Sequence, residues 1–127
     1  MSSGIVIVGL EGLVNDLAGG SARLARNTTT AVAVTARKVQ QGARSRVRGH
    51  RYLPQYPSSI TYDVRATPIG VEAEIGPDKD RAQGALGNLI EYGSSKNAPI
   101  EHLGPALEEN ADDLVRGIEI ALHQALP

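Results

Sequence analysis

The strongest constraint on this chain is an alternation of side chains between residues 60 and 75. Ile60, Tyr62, Val64 and Ala66 alternate with Thr61, Asp63, Arg65 and Thr67, and then Ile69, Val71, Ala73 and Ile75 alternate with Gly70, Glu72 and Glu74. A period of two gives each segment one apolar face as a strand. A two-residue turn at Thr67-Pro68 would ask proline for a positive φ, which its ring forbids. A four-residue loop from Thr67 to Gly70 avoids this. It sets Ala66 opposite Val71, Val64 opposite Ala73 and Arg65 opposite Glu72, the last as an exposed cross-strand ion pair.

The flanking stretches supply helices. Leu10, Leu13, Val14 and Leu17 share one helical face, Gly19-Gly20 interrupts it, and Ser21 can cap a restart. From Leu24 to Val47 the pattern continues through Ala25, Thr28, Val32, Ala36, Val39 and Ala43, residues small enough for close helix packing. Asn27-Thr28-Thr29-Thr30 is poor helix material, so it is either helix held by tertiary contacts or a second break. A final helix runs from about Pro105 to Leu126, with a stripe of Leu107, Ala111, Leu114, Ile118, Ala121 or Leu122, and Ala125. Ile5-Val6-Ile7-Val8 is β-branched throughout and reads as a strand inside or against a sheet. The expected fold is α+β: a small antiparallel sheet including residues 59–67 and 69–76, packed by a long N-terminal helical region (10–48) and a C-terminal helix (105–126).

With 127 residues, a single domain over residues 1–127 is expected, large enough for one core without staples. The chain has no cysteine, Phe or Trp, so disulfides and thiolate metal sites are excluded and the core must be built from Leu, Ile, Val and Ala. No apolar run is long enough to span a membrane. Met1-Ser2-Ser3-Gly4 lacks the positive segment of a signal peptide.

The net charge of −1 hides a segregation. Residues 17–62 hold eight Arg or Lys and no acid, while residues 63–127 hold twelve acids against five bases. Arg44, Arg46, Arg48 and Arg51 crowd the end of the first helix, with Arg37 and Lys38 one to two turns earlier. Cations are favourable at a helix C-terminus. The same cluster, with Tyr52 and Tyr56 nearby, could serve as a contact surface for phosphates or an acidic protein patch. Glu108, Glu109, Asp112 and Asp113 load the first half of the last helix. The two regions could meet across a subunit interface, neutralise each other within one subunit, or leave the arginines facing DNA.

No catalytic constellation emerges. His50, His102 and His123 lack a partner at metal-ligand spacing, and Ser58 and Ser59 lack a nucleophile motif. Asp78 and Asp80 sit in a turn without the further ligands of a calcium loop. Gly9-Leu10-Glu11-Gly12 after the first strand misses the third-position glycine of a dinucleotide fingerprint. No catalytic, cofactor or metal residue is assigned, and an enzyme is not expected.

The segment from Gly84 to Leu107 organises the rest. A short apolar element, helix by the spacing of Leu86, Leu89 and Ile90 with strand as the alternative, carries Glu91 and Tyr92 and stops at Gly93. A polar loop containing Pro99 follows, and then Gly104-Pro105 opens the last helix, where the missing proline N–H is not needed. A lone Glu at a helix end is ordinarily solvated. The order Glu91-Tyr92-Gly93-Ser94, Pro99, Pro105-Ala106-Leu107 resembles the tail-completion or neck proteins (head–tail connector or minor tail proteins) of long-tailed double-stranded DNA bacteriophages. The order of elements is similar along most of the chain. The family's usual Thr-Gly-Leu motif before the hairpin is replaced here by Tyr56-Pro57-Ser58-Ser59-Ile60, and its Pro-Phe-Leu by Glu101-His102-Leu103-Gly104.

The resemblance implies a structural virion protein, assembled in the host cytoplasm and forming a hexameric ring at the head–tail junction. Its implied neighbours are head-closure or connector proteins and tail-tube or tail-terminator proteins, with non-specific proximity to double-stranded DNA and no membrane. Interface candidates are Arg44, Arg46, Arg48, Arg51, Glu91, Tyr92, Gly93, Ser94, Glu108 and Asp112, with residues 91–104 as an exposed contact loop. The alternative is a small DNA-binding protein using the Arg37–Arg51 surface.

Overall fold

The computed structural model describes residues 5–9, 22–67 and 70–125. The fold is α+β. In chain order the elements are strand β1 (Ile5–Gly9), helix α1 (Ala22–Val47), a single turn α2 (Tyr56–Ser59), strands β2 (Ile60–Thr67) and β3 (Gly70–Pro77), a 3-10 turn (Gly84–Leu86), helix α3 (Gly87–Tyr92) and helix α4 (Leu103–Ala125). The apolar residues expected at 10–17, the Gly19–Gly20 break and the Ser21 cap lie outside the described residues.

The three strands form an antiparallel sheet in the order β1-β3-β2. The expected register holds: Ala66 pairs with Val71, Val64 with Ala73 and Arg65 with Glu72. Arg65 Nε donates to Glu72 Oε1 at 2.5 Å and Nη2 to Glu74 Oε2 at 3.2 Å, a pair of contacts on the solvated face. The ladder runs one step further than the four-residue loop implied, because Thr67 and Gly70 themselves pair. Pro68 and Ile69 lie outside the described residues. β1 is an edge strand, with Ile7 opposite Ala73 at its centre.

Helix α1 touches both the sheet and α4. Along its stripe Leu24, Thr28, Val32, Ala36, Val39, Ala43 and Val47 are buried, whereas Ala25, expected in the same stripe, is exposed because it lies one position off the buried face. Val32, Ala36, Val39, Ala43 and Val47 form one core with Ile60, Val71, Ala73 and Ile75 of the sheet. The Asn27–Thr30 alternative resolves as unbroken helix. Thr29 and Thr30 turn their hydroxyls back to the carbonyls of Ala25 and Arg26, and Asn27 Nδ2 donates to Gln124 Oε1 on α4. Tertiary packing overrides weak intrinsic propensity, and the back-bonds satisfy the two hydroxyls.

Helix α4 runs antiparallel along α1, and small residues set the spacing. A Cβ at Gly42 would stand 3.3 Å from Ala106 Cβ, and one at Gly117 3.2 Å from Ala31 Cβ. Across this seam Lys38 pairs with Asp113 at 3.3 Å and Arg46 with Glu109. The expected stripe of α4 needs one correction: Ala111 is exposed, and Asn110 stands nearer the seam with Nδ2 bonded to the Ala106 carbonyl. The helix also begins at Leu103 rather than Pro105, which leaves Pro105 inside the first turn.

Candidate functional site

The segment from Gly84 to Leu107 folds into one end of the molecule with the loop that follows α1. The 3-10 turn is seated by a close approach, since a Cβ at Gly84 would fall 1.8 Å from the Asp78 carbonyl oxygen. Gln83 before it takes φ +63°, unusual for a residue with a side chain. Its side chain explains the cost: Oε1 accepts from the Gln55 N–H at 2.8 Å and Nε2 donates to the Tyr52 carbonyl at 3.1 Å. Gln83 thus ties the 78–84 loop to the 50–55 loop.

Helix α3 ends at Gly93, whose φ is +77°. A Cβ there would also meet Pro99 N at 2.8 Å and Asn97 O at 2.9 Å. Glycine is required twice over, by conformation and by the return of the loop. Ser94 Oγ accepts from the N–H groups of Lys96 and Asn97, and the Ile100 N–H donates to the Ile90 carbonyl at 2.7 Å. The exposed loop expected over 91–104 is narrower in the structure: residues 94–99 are exposed, whereas Glu91, His102 and Leu103 turn inward.

Beneath this loop lies a buried polar cluster. Glu91 is only 9% exposed. Its Oε1 accepts from the backbone N–H groups of His102 and Leu103, at 3.0 and 2.8 Å. These are among the donors that the start of α4 leaves without intrahelical partners. A carboxylate also suits the positive end of the helix dipole. The expectation of a solvated Glu91 is therefore corrected: it caps α4 from eleven residues upstream.

His102 is fully buried. Its Nδ1 lies 2.8 Å from the Ile100 carbonyl oxygen and 3.0 Å from Glu91 Oε1. Both neighbours are acceptors, so Nδ1 carries the proton. Nε2 then accepts from the buried Tyr56 hydroxyl at 2.7 Å, with the two rings edge-to-face at 5.3 Å. Burial pushes the His102 pKa below its ordinary 6.5, against the opposing pull of the Ile100 hydrogen bond and Glu91. Burial, with Glu91 second, pushes the Tyr56 hydroxyl well above its ordinary 10.0. The cluster holds a neutral imidazole and a neutral phenol around one acid. Enclosed and internally hydrogen-bonded, it ties the loop to the helix start.

The basic cluster divides in two. Arg44 Nε and Nη2 both donate to the Ile60 carbonyl, at 3.1 and 2.7 Å, joined there by Gln40 Nε2 at 2.9 Å. Arg46 donates to the Gly42 carbonyl and pairs with Glu109. These two guanidiniums are taken up within the subunit. Arg48 and Arg51 are exposed, and the Arg51 guanidinium sits 5.6 Å above the Tyr52 ring. Glu108 and Asp112 are exposed on α4, as are Tyr92 and Ser94 beside the loop.

Beside the buried cluster opens a cleft of about 570 Å³, lined by Tyr52, Leu86, Leu89, Ile90, Ala98 and Ile100 among others. Among the described residues no group of three or more His, Asp or Glu could hold a metal ion, and no helix is long and apolar enough to cross a membrane. Sequence reasoning missed Tyr56 and His102 as a pair. They are separated by 46 positions and follow no local spacing; the only local sign is a histidine set directly before a Leu-Gly-Pro helix start. Comparison of the chain with protein-family models, with curated proteins and with solved structures finds no match.

Proposed function

We propose that the chain is a structural virion protein of a long-tailed double-stranded DNA bacteriophage, forming a ring at the head–tail junction that completes the tail or joins it to the head. The observation that carries this reading is the cohesion of the residues behind the resemblance. Glu91 caps the helix that bears Pro105-Ala106-Leu107, and Gly93 packs against Pro99. The matching positions form one connected unit, which presents Tyr92, Ser94 and the exposed loop on its outside. On this reading the ring is sixfold, with head-closure or connector proteins on one side and tail-tube or tail-terminator proteins on the other.

The alternative, a DNA-binding protein using Arg37–Arg51, draws on fewer cations than the sequence offers, because Arg44 and Arg46 are engaged inside the chain. The test is mass spectrometry and immunogold labelling of purified virions, with light scattering of the isolated protein with and without duplex DNA. The ring reading expects the protein at the neck and an assembly near six times the 13.4 kDa subunit. A protein missing from virions, or a dimer whose duplex affinity falls steeply with salt, overturns it.

A further inference from the structure

We infer that the cleft beside Tyr52 receives the outward face of α4 from a second copy of this chain, an inference that rests on the ring reading above. Tyr52 is 72% exposed, Leu89 57% and Tyr92 77%, with Leu86 also exposed. Single exposed apolar residues are ordinary, but a contiguous group marks a contact surface. Tyr52, Leu86 and Leu89 line the cleft, and Tyr92 stands one turn beyond Leu89 on α3. A cation stands at the edge of the cleft: Arg51 lies over the ring of the cleft-lining Tyr52, and the exposed Arg48 precedes it by three residues at the end of α1. The fitting occupant is apolar at its centre and acidic along its length.

Helix α4 presents such a face. Glu108, Asp112, Val115 and Glu119 recur at spacings of four, three and four, opposite the stripe that packs on α1, and all are exposed. At 1.5 Å per residue they cover about 16 Å of helix. Glu109 and Asp113, one position along, pair with Arg46 and Lys38. Among the described residues Glu108, Asp112 and Glu119 form no ion pair with their own subunit. The acids that face α1 are thus neutralised at home, and those that face outward are available to the Arg48 and Arg51 of a neighbour. Cleft and helix face are different patches of one chain, so the contact is head-to-tail and propagates into a ring when the rotation closes. The charges set register and encounter rate, and the apolar contacts hold the complex.

The absence of cysteine makes the test direct. Leu89→Cys and Val115→Cys are made separately, each at an exposed position, and treated with copper phenanthroline and dioxygen, alone and as an equimolar mixture; the oxidant takes the electrons as two thiols form one disulfide. The expected result is a dimer in the mixture at least several-fold above either variant alone, and a ladder of oligomers from the double variant. Adding Arg51→Glu should lower the yield about fivefold, an effect of the size expected for an exposed ion pair, and Asp112→Arg in the partner should recover most of it. Equal dimerisation by Leu89→Cys alone, or no crosslink at any protein concentration, overturns the docking. Virions that carry the protein at the neck while the mixture stays uncrosslinked leave the ring reading standing and remove only this interface. A protein missing from virions removes the ring reading whatever the crosslinks show.

Discussion

Two regions of this molecule bring acid and base together, and they do so in different media. Along the seam between α1 and α4, Lys38 meets Asp113 and Arg46 meets Glu109 with water at hand. Under the 93–102 loop, Glu91 meets two backbone N–H groups and His102 largely shielded from solvent. On a charge map the seam is the more conspicuous. In energy the order reverses, because an exposed pair is worth about 0–1 kcal/mol, whereas each buried donor left without an acceptor costs about 1–3 kcal/mol.

The largest expected effect comes from removing the acid in the dry region. Glu91→Ala leaves the His102 and Leu103 N–H groups without their acceptor, and chemical denaturation should show a loss of about 2–4 kcal/mol. An unchanged midpoint would mean that water replaces the carboxylate and that the two regions are not different in kind.

The second effect is a pH dependence confined to the same region. The His102 pKa is lowered in the fold, so the unfolded chain binds the extra proton first as pH drops below 6.5. Stability attributable to His102 is therefore complete above 6.5 and lost as pH falls toward the folded value. Tyr56 works in the opposite sense: its raised pKa means that stability is lost as pH climbs above 10.0. Thermal melts should show a plateau between these limits. Tyr56→Phe should lower stability by about 1–2 kcal/mol and remove its share of the alkaline limb, and His102→Gln should flatten the acid limb specifically.

The smallest effect belongs to the seam. Lys38→Ala should cost no more than about 1 kcal/mol, and less at high salt. A cost matching that of Glu91→Ala would break the comparison.

What could be foreseen divides along the same line. The hairpin register, including Arg65 opposite Glu72, was legible because a period of two and a proline constrain it within a few residues. The helices follow from apolar spacing, although that spacing puts Ala111 inward where Asn110 lies nearer the seam, a difference of one helical position that hydrophobicity alone does not decide. The charge segregation was legible as a count but not as a geometry, since only the fold shows Arg44 on the Ile60 carbonyl and Arg46 on Glu109. Glu91, Tyr56 and His102 were opaque for a stronger reason. Their roles depend on burial, and burial is created by elements remote from each of them in sequence.

The close approach of Gly42 to Ala106 and of Ala31 to Gly117 also bears on how the chain is made. The residues that meet there are more than sixty positions apart, so α1 must wait for α4 to be made. At about 5–20 residues per second on the ribosome, the α4-facing side of α1 stays uncovered for several seconds after it emerges. That side carries Val34, still half-exposed in the finished fold, beside small residues that offer little apolar area to a passing chaperone or to another nascent chain. A seam of Gly and Ala closes tightly when its partner arrives and presents a poor target until then.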